Sequence, residues 1–110
     1  MTTITYSPQN LTIAIRGHAD YDEAGRDIVC ASVSILAMTI AQFAGKLKDE
    51  GLANPEIRVD KGDVYIDIVP GTYMQYEDAL WVVDNICAGF ELLAHEYPDY
   101  VEYINLDDLI

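Results

Sequence analysis

The sequence predicts an α+β fold in which two helices pack on a largely antiparallel sheet. Short runs that alternate apolar and polar residues come in pairs separated by turn residues, and two longer stretches have helical spacing. Neither a linker nor an internal repeat divides the 110 residues, of which 51% are hydrophobic. We therefore expect one domain over residues 1–110, with a single core and the element order ββαββαβ.

The start of the chain predicts a β-hairpin. Thr2–Tyr6 and Leu11–Arg16 both alternate polar and apolar residues, and Ser7–Asn10 between them is typical of a turn. The second strand of this hairpin delivers His18 just beyond its end.

The first helix is predicted to begin after Asp27, a good N-cap residue, and to run to about Lys48 before Gly51 and Pro55. The stretch Ile28–Gly45 carries no charged residue over eighteen positions, which is close to the length of a membrane span. Its serines, threonine and glutamine favour a different interpretation. We expect a helix buried on several sides of a globular protein, in part by a second subunit.

A second hairpin is predicted in the middle of the chain. Glu56–Asp60 and Val64–Val69 are alternating runs rich in β-branched residues. Lys61 and Gly62 between them form a two-residue turn signal.

A second helix and a last strand complete the predicted fold. Apolar residues recur at helical spacing from Tyr73 until Pro98 ends the pattern. Val101–Leu106 then predicts a short strand. We expect the acidic end, Leu106–Ile110, to be a frayed tail rather than a segment that binds a partner.

The charge balance limits the partners of this chain. Six Lys and Arg against nineteen Asp and Glu give a net charge of −13, which argues against binding nucleic acid or an anionic membrane surface. A basic protein or peptide is the partner that such a surface attracts. The first residues lack the basic and apolar regions of a signal peptide, so we expect a cytoplasmic protein with reduced thiols.

Cys87 and His95 do not predict a metal site. They lie eight residues apart on the second helix, but a structural zinc site normally needs four ligands. Cys87 falls on the apolar stripe and is expected in the core, while His95 is expected at the surface. We predict no metal.

Cys30 and His18 form the strongest candidate for a reactive pair. Cys30 follows Asp27 by three residues, so it lies in the first helical turn, where the helix dipole and free N–H groups stabilise a thiolate. His18 is able to fold back as the base that activates the thiol. The same N–H groups are expected to hold the oxyanion of a tetrahedral intermediate. A buried structural cysteine and a surface histidine are the alternative interpretation, because the spacing alone is not specific.

Asp27 and Ser34 are supporting candidates. Ser34 lies one turn after Cys30 on the same side of the helix, where its hydroxyl is able to bond the thiolate or orient a water. Asp27 has two open roles, because it either caps the helix only or also orients His18. Capping is favoured, since Asp is among the best N-cap residues.

The segment that holds these residues resembles the ribosomal-processing cysteine protease (Prp) family. It contains G-H-A at Gly17–Ala19 and the pattern G-x-D-x-V-C-A-x-V-S beginning at Gly25. In that family the histidine of G-H-A and the cysteine of V-C-A form the catalytic dyad, so the resemblance carries these roles onto His18 and Cys30. The resemblance also marks Ser34 as the matching active-site serine, and Gly25 and Asp27 as motif positions.

The resemblance implies a single cysteine protease domain that acts as a homodimer in the bacterial cytoplasm without a cofactor. Members of the family remove a short N-terminal extension from a bacterial large-subunit ribosomal protein, and they cleave after an aromatic pair. The ββαββαβ order is similar to the fold of the family.

The loop between the two candidate residues departs from the family in its charge. Its expected substrate-facing positions are Gly17, Ala19, Asp20 and Gly25. Members commonly have glycine where this chain has Asp20, which is followed by Asp22 and Glu23. Losing a glycine reduces the conformational freedom of the loop, and the carboxylates favour a basic peptide.

Two other functions stay open from the sequence. A relative of the phage type would use the same chemistry on a capsid or scaffold protein. A non-catalytic homodimer would hold a peptide in the loop and carry an inert thiol. The reactivity of the thiol separates such a binding module from an enzyme.

Overall fold

The computed structural model describes residues 1–109 and confirms the α+β class and the ββαββαβ order. In chain order the elements are β1 (Thr2–Ser7), β2 (Thr12–Arg16), α1 (Ile28–Asp49), β3 (Glu56–Asp60), β4 (Asp63–Asp67), α2 (Tyr73–Glu96), β5 (Val101–Asn105) and a short 3-10 helix over Leu106–Leu109. The helices begin where the sequence predicts, and the strand ends differ by one or two residues.

The five strands form one open sheet in the order β3-β4-β2-β1-β5. The pairs β1–β2, β2–β4 and β3–β4 are antiparallel, while β1–β5 is parallel. The parallel pair arises because α2 crosses over between β4 and β5. The sheet is therefore largely antiparallel, as predicted, with β3 and β5 as its outer strands.

The core lies between one face of the sheet and the two helices. Alternate strand residues point into it, as the period of two requires. The fully buried strand residues include Ile4, Tyr6, Ile13 and Ile66. The helices contribute Val29, Val33, Ala37, Ile40 and Ala44 from α1, and Ala79, Val83, Cys87 and Phe90 from α2. Cys87 is thus a core residue, as predicted.

α1 is buried on two sides within the single chain, and its burial by a second subunit stays a prediction. Among the described residues it is the helix whose length and apolar content would also suit a membrane span. It packs one face on the sheet and another beside α2, where Leu36 contacts Gly89. Its third face stays uncovered in the single chain, because the two-layer fold supplies nothing to pack there. Ile35 on that face is 65% exposed.

The end of the described chain is ordered rather than frayed. Leu106–Leu109 form a 3-10 helix that contacts β1 and β5, and the Asp107 N–H donates a hydrogen bond to the Asn105 side chain (3.0 Å). The expected frayed tail is therefore wrong for these residues, since the Asn105 side chain starts a new turn. Ile110, the last residue of that predicted tail, lies outside the described residues.

Candidate active site

The site is built by the loop between β2 and α1. Gly17 and His18 directly follow the last residue of β2, and Asp27 caps α1. Cys30 is the third residue of the helix and is partly buried. The loop connects the end of β2 to the start of α1, and it brings His18 and Cys30 to the same cavity.

Asp27 holds both the helix and the loop. Its Oδ1 accepts a hydrogen bond from the Cys30 N–H (2.8 Å), which is the predicted N-cap bond. Its Oδ2 accepts from the N–H groups of Tyr21 (3.0 Å) and Asp22 (3.5 Å). Partial burial raises the pKa of the Asp27 carboxyl, but the donated hydrogen bonds outweigh it and lower that pKa below its ordinary value.

The cap changes the expected source of the oxyanion donors. Because the Cys30 N–H donates to Asp27, this group is not free to bind a substrate carbonyl. The prediction that the N–H groups of the first turn form an oxyanion hole is therefore wrong for Cys30. Asp27 also makes no hydrogen bond to His18 among the described residues, so its observed role is capping and loop closure.

His18 is positioned by the turn between β3 and β4. The imidazole lies on Gly62, where an added Cβ would stand 2.7 Å from His18 Nε2. The Gly17 N–H donates a hydrogen bond to the Gly62 carbonyl (2.9 Å), which fixes this turn beside the end of β2. Gly62 has a φ of +73°, a conformation that glycine adopts without strain. The sequence indicated a turn here but not its contact with His18.

Two cavities meet at His18 and Cys30. The larger, of about 610 Å³, is lined by the loop and the start of α1. The smaller, of about 290 Å³, lies between α1 and the β3–β4 hairpin. Four residues line both cavities: His18, Cys30, Ser34 and Lys61. No hydrogen bond joins the Cys30 thiol to His18 within residues 1–109, although both side chains line the same cavities.

The structure brings most of the predicted site residues together. Besides the shared residues, the predicted positions in the larger cavity are Asp20, Gly25 and Asp27. Gly17 lines the smaller cavity. Ala19 lines neither, because its side chain is only 1% exposed and belongs to the core. Ala19 therefore anchors the loop rather than facing a substrate.

The loop is held by aromatic packing as well as by its hydrogen bonds to Asp27. The Tyr21 ring packs edge-to-face on Tyr97 (5.5 Å between centroids) and on Tyr100 (5.1 Å). Asp20 has a φ of +57°, in the left-handed region that favours glycine. Asp20 therefore holds a backbone conformation typical of glycine and adds a negative charge to the larger cavity.

Sequence reasoning missed the two cations of the site. Lys61 lines both cavities, and Arg26 lines the larger one together with Asp20 and Asp22. Arg26 lies within the loop and could have been named with its acidic neighbours. Lys61 could not, because only the three-dimensional fold carries the β3–β4 turn to the loop.

Comparison with known proteins gives one family. The sequence pattern of the family described as cysteine protease Prp matches residues 1–102. A search of curated protein sequences gave no significant match.

Solved structures agree in fold over nearly the whole chain. One is an essential ribosomal processing protease Prp from S. aureus with a covalently linked product peptide (TM-score 0.74, 20% identity, covering 96% of this chain and 99% of that one). The same protease with a substrate peptide gives a TM-score of 0.69 at 19% identity, with coverage of 96% and 99%. SMU.848 from Streptococcus mutans gives 0.66 at 25% identity, with coverage of 94% and 92%.

Replacing Gly62 by alanine should displace the His18 ring. The added Cβ would overlap Nε2, so we expect the His18 ring signals in an NMR spectrum to move. Gly51→Ala is a matched control, because Gly51 has the same φ of +73° but an added Cβ would meet nothing within 4 Å. Both variants carry a similar backbone strain of about 1 kcal/mol. His18 signals that stay in place in Gly62→Ala, or that move equally in both variants, would contradict the contact.

Asp27 should make stability depend on pH in the acid range. Its pKa is lowered in the folded state, so its stabilisation is present above the ordinary carboxyl pKa and is lost as the pH falls below about 4. Asp27→Asn should lack this component while keeping the helix cap, and Asp27→Ala should lose about 1 kcal/mol at pH 7. Urea unfolding from pH 7 to pH 3 measures both. Equal pH profiles for wild type and Asp27→Asn would show that the carboxylate bonds do not form.

Proposed function

This chain belongs to the cysteine protease Prp family, and we propose that it cleaves a peptide bond with Cys30 as nucleophile and His18 as base and acid. The observation that carries the proposal is that the side chains of Cys30 and His18 line the same two cavities. Cys30 is partly buried in the first turn of α1, where the positive end of the helix dipole favours an anionic sulfur.

The first chemical step forms a thioester. The Cys30 sulfur attacks the carbonyl carbon of the scissile peptide bond, and His18 holds the thiol proton. The tetrahedral intermediate then expels the amine, which takes its proton from His18. The Ser34 hydroxyl and the Lys61 ammonium line both cavities and are able to donate hydrogen bonds to the oxyanion. They take the role that the Cys30 N–H cannot fill.

The second step releases the other product. His18 removes a proton from a water molecule, whose oxygen attacks the thioester carbon. The carbon–sulfur bond breaks, the peptide leaves as a carboxylate, and Cys30 returns to its starting form. No cofactor is needed for either step.

The substrate is the N-terminal extension of a bacterial large-subunit ribosomal protein. The S. aureus protease that shares the fold is a ribosomal processing protease and binds a substrate peptide, which supports a peptide substrate here. Asp20 and Asp22 in the larger cavity, together with the net charge of −13, favour a basic peptide. A capsid or scaffold protein of a phage is the second substrate class, and a panel of peptides from both sources separates them.

The enzyme acts as a homodimer in the cytoplasm. The outer face of the helical layer carries exposed apolar residues, among them Ile35 on α1 and Trp81 on α2, which is 73% exposed. Apolar faces of this kind mark protein interfaces, and a second copy covers the side of α1 that the single chain leaves open. A reducing compartment is where unpaired thiols such as those of Cys30 and Cys87 persist.

Cys30→Ala should abolish cleavage and leave the fold intact, since alanine suits a helix. Cys87→Ala is the matched control and should keep cleavage within a few fold of wild type, because Cys87 is a core residue outside both cavities. Burial also raises the pKa of the Cys87 thiol to about 12, so iodoacetamide near neutral pH should modify Cys30 first. Mass spectrometry of the peptide products measures cleavage, and mass spectrometry of the alkylated protein shows which cysteine is modified first.

Cleavage that survives Cys30→Ala would rule out the proposed nucleophile. A wild-type protein that binds the peptide but never cleaves it would instead indicate the non-catalytic binding module. His18→Ala separates these outcomes further, because only an enzyme should lose turnover while it keeps peptide affinity.

Ile35→Glu should convert the dimer into a monomer, because it places a charge on the exposed apolar face of α1. Leu109→Glu is a control for adding a charge at an exposed apolar position, since Leu109 is 72% exposed and lies on the terminal 3-10 helix. Sedimentation velocity at micromolar concentration compares the three proteins. A wild-type monomer, or an Ile35→Glu dimer, would contradict this interface.

A further inference from the structure

β3 is an outer strand whose free edge borders the active site. All five of its residues are exposed. Val59 lines the smaller cavity, together with Cys30 and Met38 from α1. The other outer strand, β5, contributes no residue to either cavity in the described part of the chain. The sheet therefore has one unpaired edge that leads directly into the site.

The register shows which main-chain groups face that edge. The Ile68 N–H donates to the Leu11 carbonyl (3.2 Å), so the even-numbered residues of β4 face β2 and the odd-numbered ones face β3. On β3 the partners of those odd-numbered residues are Glu56, Arg58 and Asp60. The N–H and C=O groups of Ile57 and Val59 therefore point outward, away from the sheet.

The same two residues present apolar side chains on the helix side of the sheet. Ile57 pairs with the buried Ile66, and Val59 pairs with Val64, so all four side chains lie on one face. α1 does not cover β3, and Ile57 and Val59 remain 38% and 52% exposed. Exposed apolar residues on an unpaired edge strand are unusual, because such an edge invites another chain to pair with it.

We propose that an extended segment of the peptide substrate pairs with the outer edge of β3 as a sixth strand of the sheet. Ile57 and Val59 would each donate and accept one main-chain hydrogen bond. The peptide residue opposite Val59 would then direct its side chain to the helix side, into the cavity between Val59 and Met38. This inference rests on the proposed function, and it identifies how a peptide reaches the thiol.

A peptide substrate suits this edge better than a second copy of the chain. The edge ends at the Lys61–Gly62 turn, which holds His18, so a chain lying along β3 continues towards Cys30. The smaller cavity beside Val59 is mostly apolar and is large enough to take a side chain.

Amide hydrogen exchange on Cys30→Ala tests the pairing without cleavage. The probe is a synthetic peptide with the N-terminal extension of a bacterial large-subunit ribosomal protein. We expect the Ile57 and Val59 amides to exchange fast in the free protein and to slow by about tenfold or more at saturating peptide, because each gains a hydrogen bond. The Arg58 amide, already paired with β4, is the internal reference.

Ile57→Pro tests the same pairing by activity. It removes an outward N–H that the sheet does not use, so the edge strand should tolerate it. Ile57→Ala is the matched control, because it also removes the isoleucine side chain but keeps the main-chain N–H. We expect Ile57→Pro to raise KM by about five- to tenfold with kcat unchanged, and Ile57→Ala to change KM by less than about threefold. Equal iodoacetamide rates at Cys30 in both variants would show that the site itself is intact.

The outcomes separate this inference from the proposed function. Cleavage by wild type without protection of Ile57 and Val59 would overturn the β3 edge and leave the protease. Protection of both amides without cleavage would support the edge and overturn the protease. Amides that are already protected in the free protein, increasingly so at higher protein concentration, would assign the edge to a second copy. No protection at millimolar peptide would also overturn the inference.

Discussion

The Asp27 carboxylate is the group on which the site depends most. One of its oxygens fixes the start of α1 by accepting from the Cys30 N–H, and the other closes the loop by accepting from the Tyr21 N–H. A single side chain thus sets the distance between the nucleophile and the segment that follows His18. Because these bonds favour the ionised carboxyl, they are strongest at neutral pH, where the Asp27 carboxyl is fully ionised.

Local features of the site could be predicted from the sequence, and long-range features could not. The cap at Asp27 is predictable because an N-cap bond joins residues three positions apart. The contact of His18 with Gly62 joins residues 44 positions apart and depends on β4 pairing with β2. The Cys30 N–H is also unavailable for local reasons, because a capping aspartate accepts from one N–H group of the first turn and thereby occupies it.

In the fold, too, local features could be predicted from the sequence and long-range features could not. The element order follows from hydrophobic periods of two and 3.6, which act within each element. The exposure of Ile35 depends on how many layers cover α1. The sequence does not predict this number, because a largely apolar helix has the same composition whether one side or all sides are buried. The free edge of β3 also depends on long-range structure, because the order of the strands in the sheet makes β3 the outermost strand. Both uncovered surfaces are where the single chain leaves room for partners.

Trapping the thioester is the most direct test of the central claim, that Cys30 attacks the substrate. A ribosomal-protein extension peptide is mixed with wild-type protein, the reaction is quenched in acid within the first turnover, and the protein is digested and mapped by mass. We expect the amino-terminal part of the substrate to be attached to the fragment that contains Cys30, and never to the one that contains Cys87. Rapid product formation with no acylated Cys30 at any quench time would contradict the claim.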